Sequence, residues 1–267
     1  MEKSEKMDEY RGNPLMQLLQ TKREKLISVF FTAGFPELES TGEVLSLLEK
    51  YGADFVEIGI PYSDPLADGP VIQQTSQTAL ANGMSIDTLF NQLDSLHGKV
   101  NIPMILMGYL NPVLQYGVEK FCARAASAGV SGVILPDLPP DEYKETYGEI
   151  FRKHGLHFIF LVTPTTPPER IYLADSLSTA FIYAVGSSSI TGGGKSGIYS
   201  TDFLQRLKEM KLSNMHIAGF GIKDRESVRL AWEYSSGAII GTAFMKKLIE
   251  SGDPQKATGQ LMNDLFG

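Results

Sequence analysis

A chain of 267 residues with 43% hydrophobic content carries enough apolar material for one large α/β core, and no apolar run nears the ~18 residues that cross a membrane. A formal net charge of −7 argues against nonspecific binding to nucleic acid or anionic lipid, though not against a small anion held by local donors. The single cysteine, Cys122, excludes an intramolecular disulfide and a cysteine zinc cluster; the four histidines (His97, His154, His157, His216) lack ligand spacing, so no metal is expected.

Residues 1–13 form a polar extension without an apolar signal core, which predicts a cytoplasmic protein. An amphipathic helix at 14–25 is expected to close one end of the domain. The first strand follows at 26–31, and a helix at 37–51 stops at Gly52. After a second strand at 55–60, further apolar runs lie at 103–107, 132–135, 157–162, 180–185, 216–218 and 238–240. Helix-period segments separate them, among them 113–128, 140–154, 168–177, 201–210 and 224–234. His154 and His157 flank a helix end at Gly155, which predicts surface or capping roles. Strands alternating with helices predict a parallel sheet with right-handed crossovers, closed into a single (β/α)8 TIM barrel spanning 1–267. A doubly wound open sheet is the alternative.

The second strand carries a carboxylate, Glu57, inside an apolar run. Side chains alternate along a strand, so Phe55, Glu57 and Gly59 share one face. Burial of that carboxyl predicts a raised pKa and a neutral acid. The turn that follows holds Asp64 and Asp68 in a wetter setting, and such a pair can divide acid and base roles. A salt-bridged strand glutamate with turn-capping aspartates fits the same spacing.

In a barrel, the site lies at the C-terminal strand ends. Those ends carry Thr32, Glu57, Tyr109 with Asn111, Asp137, Thr163, Gly186, Gly219-Phe220-Gly221 and Gly241-Thr242. Glycines after the last two strands let backbone N–H groups approach an anion, which predicts a phosphate site; ordinary strand-to-helix turns use glycine too. Residues 189–196 nearly spell a triphosphatase phosphate loop, but Ser189 stands where the first glycine belongs and no helix pattern begins at Lys195. Residues 186–200, with five glycines and five serines, are expected to act as a lid.

The run from Glu57 to Pro70, EIGIPYSDPLADGP, closely resembles the signature of the tryptophan synthase alpha subunit family. Phe30 to Gly34, Leu106 to Pro112, Tyr183, Thr191-Gly192, Gly219-Phe220-Gly221 and Gly241-Thr242 extend the resemblance from about Pro14 to the C-terminal helix. It implies a (β/α)8 barrel that cleaves indole-3-glycerol phosphate to indole and glyceraldehyde 3-phosphate. It also implies no cofactor of its own, pyridoxal phosphate belonging to a beta partner that receives indole in an α2β2 heterotetramer. Carried over by position, Glu57 and Asp68 are the catalytic pair; Phe30, Tyr109, Tyr183, Thr191 and Phe220 bind substrate. Gly192, Gly219, Gly221, Gly241 and Thr242 hold its phosphate, and Asp64 with Pro65 faces the partner. Three departures stand out: Thr242 where serine is common, Phe35 where an acidic residue is common at a partner contact, and Ser187 to Ile190 in the sixth loop. They leave open a stand-alone lyase, or a low-activity subunit that mainly activates its partner.

Overall fold

The computed structural model describes residues 10, 12–186, 201–219 and 221–267. Nine parallel strands form one sheet: β1 (Leu26–Thr32), β2 (Phe55–Gly59), β3 (Met104–Met107), β4 (Val130–Ile134), β5 (His157–Phe158), β6 (Leu161–Val162), β7 (Phe181–Val185), β8 (Met215–Gly219) and β9 (Gly237–Ile240). Their order, β5-β4-β3-β2-β1-β9-β8-β7-β6, begins and ends on two strands that are consecutive in the chain. The expected fifth strand, 157–162, is therefore one run in two pieces. Its first piece pairs with β4 and its second with β7, which closes an eight-membered TIM barrel. The ladder breaks at Phe160 because its N–H donates to the Ser178 hydroxyl at 3.1 Å.

Alternation builds two cores. Phe55, Ile105, Ile134, Ile159, Phe181, Ile217 and Ile239 fill the barrel interior, while Val56, Ile58 and Leu106 pack outward against the helix layer. The helix Pro14–Thr21 adds Leu15 and Leu19 to the interior cluster and plugs the N-terminal end, as its amphipathic pattern predicts.

Local departures from expectation have tertiary causes. The first helix ends at Thr21, four residues early, since Lys22 turns extended and its Nζ meets Asp54 at 2.7 Å. The helix expected over 113–128 is two, Leu110–Tyr116 and Val118–Ser127, divided at Gly117 with φ +89°. Within 140–154, the residues Tyr143–Tyr147 form a π turn with the Tyr143 ring buried 4.3 Å from Phe158. His157 is neither at the surface nor a cap. It is fully buried, stacks on Tyr10 at 4.1 Å, and burial pushes its pKa down to about 3. Tyr10 and Asn13 are thus part of the packed structure and not of a loose extension: Asn13 caps the first helix and donates to Ser131 O at 2.9 Å. Phe35 is buried in the helix layer, so its side chain is not presented to a partner.

Candidate active site

A cavity of about 600 Å³ opens at the C-terminal strand ends, where barrel topology predicts a site. Phe30, Ile72, Met107, Pro136, Leu161, Tyr183 and Val185 supply apolar and aromatic wall; Asp68, Gly221, Lys223, Gly241, Thr242 and Lys246 supply polar wall. This mixture suits a ligand with a flat apolar body and an anionic end.

Glu57 is fully buried, and neither carboxylate oxygen has a hydrogen-bond partner among the described residues. Burial pushes its pKa up to about 8, so the neutral acid prevails near pH 7. Its strand partners in register are Phe30 and Ile105. Glu57 does not line the cavity. A Cβ at Gly59, the next inward-facing position, would stand 2.5 Å from Cζ of Phe30, so the Phe30 ring occupies that space and roofs the strand above Glu57. Gly59 is what leaves the ring room to lie there.

Asp68 stands in the wall itself. The Tyr109 hydroxyl donates to its Oδ2 at 3.1 Å and accepts the Ala67 N–H at 3.1 Å, while Gln73 Nε2 donates to the Asp68 carbonyl at 2.9 Å. Burial pushes the Asp68 pKa up, and the Tyr109 bond pulls against that shift. Burial and the Asp68 charge both push the Tyr109 phenol up, which keeps it a donor. Tyr109 therefore acts from behind Asp68 and is not part of the cavity wall. Asp137, beside it, accepts the Leu110 N–H at 2.9 Å and fixes the start of the following helix.

Tyr109→Phe tests this clamp. Deleting a hydrogen bond to a charged group costs about 1.5–3 kcal/mol, so turnover should fall about tenfold or more. The pull on Asp68 disappears with it, moving the acid limb of the pH–rate profile to higher pH. An unmoved acid limb would mean that Tyr109 does not tune Asp68.

Two loops at the cavity could hold an anion. Gly221 holds φ +78°, a conformation that glycine adopts without strain. Gly241 is the N-cap of the helix Thr242–Ser251, with no side-chain cap and no acidic residue in the first turn. Its free N–H groups point positive partial charge at the cavity. Gly219 has a different job. A Cβ there would sit 2.2 Å from the Tyr183 ring, so this glycine makes room for Tyr183, and it does not line the cavity.

The structure thus brings Phe30, Asp68, Tyr183, Gly221, Gly241 and Thr242 to one cavity, with Glu57 beneath and Tyr109 behind. Thr191, Gly192 and Phe220, the lid expected at 186–200 and the triphosphatase lookalike at 189–196 fall at least in part outside the described residues. In the loop after β2, Asp64 and Leu66 are exposed, Leu66 at 91%, whereas Pro65 turns inward and presents nothing to a partner. Sequence reasoning missed Leu161, Lys223 and Lys246. Lys223 lies two residues after Gly221 and Lys246 one helical turn after Thr242, spacings that were available as signals.

The family pattern described as Tryptophan synthase alpha chain matches residues 15–264. The Tryptophan synthase alpha chain of Christiangramia forsetii is 51% identical over 90% of this chain and 94% of its own. That of Parabacteroides distasonis is 45% identical over 95% and 99%. The crystal structure of the alpha chain from Legionella pneumophila superposes with a TM-score of 0.84 at 34% identity, covering 95% of each chain. A chain of the tryptophan synthase complex from Pyrococcus furiosus gives 0.82 at 33% identity, covering 92% of this chain and 99% of that one. The chain belongs to the tryptophan synthase alpha chain family.

Proposed function

We propose that this chain, a lyase of the tryptophan synthase reaction, carries out the half-reaction that splits indole-3-glycerol phosphate into indole and glyceraldehyde 3-phosphate. The observation that carries the reading is a neutral, unpartnered Glu57 beneath a cavity that holds Asp68 in an apolar wall and an uncapped helix N-terminus at its anion end.

Each group has a chemical task. The apolar wall takes the indole ring, and the loops at Gly221 and Gly241-Thr242 take the phosphate. Glu57 rotates upward past Phe30 and gives its proton to indole C3. The resulting carboxylate then removes the proton of the hydroxyl on the carbon attached to the ring. The bond between that carbon and C3 breaks, the carbonyl of the aldehyde forms, and the bonding electrons restore the aromatic indole. Asp68, as the carboxylate, accepts the ring N–H and stabilises the positive charge of the C3-protonated intermediate. Two unsatisfied oxygens favour the rotation, because substrate offers Glu57 the partners its buried position lacks.

On this reading the chain needs no cofactor, and pyridoxal phosphate belongs to a beta partner in an α2β2 assembly. Structural relatives described as tryptophan synthase complexes, one of them an a2b2 complex from Pyrococcus furiosus, support the partner. Exposed Leu66, on the loop that carries Asp68, offers that partner an apolar contact coupled to the site. Indole release from indole-3-glycerol phosphate, measured with and without the beta subunit, is the direct test. Activity that rises with the partner supports the reading; no indole under either condition refutes it.

Gly241→Asp tests the anion end. A Cβ at this position meets Phe30 at 3.5 Å, ordinary contact, so the fold survives while a negative charge enters at the N-cap. Glycerol 3-phosphate affinity should fall at least about tenfold through charge repulsion and lost amide access. Unchanged affinity by calorimetry would remove the phosphate from these loops.

A further inference from the structure

Backbone donors alone leave a charge deficit at the anion end. A helix N-terminus contributes roughly half an elementary charge, whereas a phosphate monoester carries about −1.5 to −2 near neutral pH. Two lysines line the same cavity: Lys223, beyond Gly221, and Lys246, on the helix Thr242–Ser251. Residues four apart share a helix face and side chains lean toward the helix N-terminus, which directs Lys246 back over Thr242. Among the described residues, neither ammonium group forms a hydrogen bond or ion pair. The neighbouring carboxylates do not claim them. Asp224 feels the Lys223 charge, but its Oδ1 is committed to the Ser227 N–H at 2.9 Å in a capping box. Glu250 lies one turn farther from the helix start than Lys246 and forms no ion pair with it. The remaining wall lysine, Lys247, is already paired with Asp264 at 2.5 Å.

We infer that Lys223 and Lys246 are the two cations that balance the phosphate dianion of the substrate, completing charge neutralisation that the loop amides begin. The inference rests on the phosphorylated substrate proposed above. Both lysines are exposed, so solvent screens them and each contributes modestly. Lys223→Met and Lys246→Met should each weaken glycerol 3-phosphate binding about threefold, and the pair about tenfold. Lys→Arg at either position should keep most of the affinity. Raising sodium chloride should weaken binding to the native chain steeply and to the double variant only slightly, a readout that a structural role would not move.

Calorimetric titration with glycerol 3-phosphate, with glycerol as the uncharged control, separates the outcomes. A native chain that ignores glycerol 3-phosphate removes the substrate reading itself. A native chain that binds it, with a double variant unchanged in affinity and salt dependence, overturns the lysines alone. Should the double variant fail to fold, Lys223→Glu and Lys246→Glu decide singly: stronger losses than with Met support the inference, and equal affinities overturn it.

Discussion

Glu57→Gln should lower indole formation by at least about 10²-fold, the usual scale of lost acid–base catalysis, and at the same time stabilise the fold. The amide keeps the shape of the side chain and removes its transferable proton. The stability effect follows from linkage. The folded pKa is raised from 4.5 to about 8, so this group favours the folded state most below pH 4.5. As pH rises from there, the unfolded chain ionises while the folded chain holds its proton, and stability falls until pH passes about 8. At roughly 1.4 kcal/mol per unit, the native chain is penalised by about 3 kcal/mol near pH 7, and the glutamine variant is free of that penalty. Denaturant unfolding at several pH values alongside the lyase assay checks both halves. Near-normal indole formation would sink the catalytic assignment. A variant that unfolds as easily as the native chain near pH 8 would show that Glu57 is not held as a buried neutral acid.

Asp68→Asn should cost about 10² to 10³-fold in turnover, the range seen when a preorganised electrostatic stabiliser is removed. The amide fills the same space and still accepts the Tyr109 hydroxyl, but it no longer opposes positive charge on the indole ring. Binding of glycerol 3-phosphate should hardly change, because the loops at Gly221 and Gly241, proposed to take the phosphate, belong to other strands. The discriminating measurement pairs single-turnover indole release with calorimetry. Loss of phosphate affinity equal to the loss of rate would place Asp68 in binding, not in catalysis.

The two carboxylates occupy different depths, as the proposed division of acid and base roles needs. Glu57 sits on a strand whose face points into the barrel, where no described residue offers its carboxyl a hydrogen bond. Asp68 sits eleven residues on in the turn, where Tyr109 and Gln73 hold it at the cavity wall. The same chemical group is thereby kept neutral in one place and supplied with a donor in the other, which is what opposite roles require.

Much of this was legible in the linear chain. Alternating apolar strands and helix-period segments determine a parallel sheet layered with helices, while its closure into a barrel is decided by the split run at 157–162, whose two pieces pair with β4 and β7. The strand position of Glu57 determines that it faces inward with Phe55, and the glycines after the last two strands determine where backbone can approach an anion. Tertiary structure decided the rest, because each remaining feature joins residues far apart in sequence. Lys22 leaves its helix for Asp54, and His157 is buried under Tyr10 where local sequence predicts a surface residue. Tyr109 is a clamp and not a wall because its hydroxyl meets a loop forty-one residues away. Gly219 serves Tyr183 and not phosphate because the ring from a neighbouring strand fills the space of its missing Cβ. Periodicity assigns a residue to a face; only the packed strands decide which neighbour shares that face, and the chemistry depends on the neighbour.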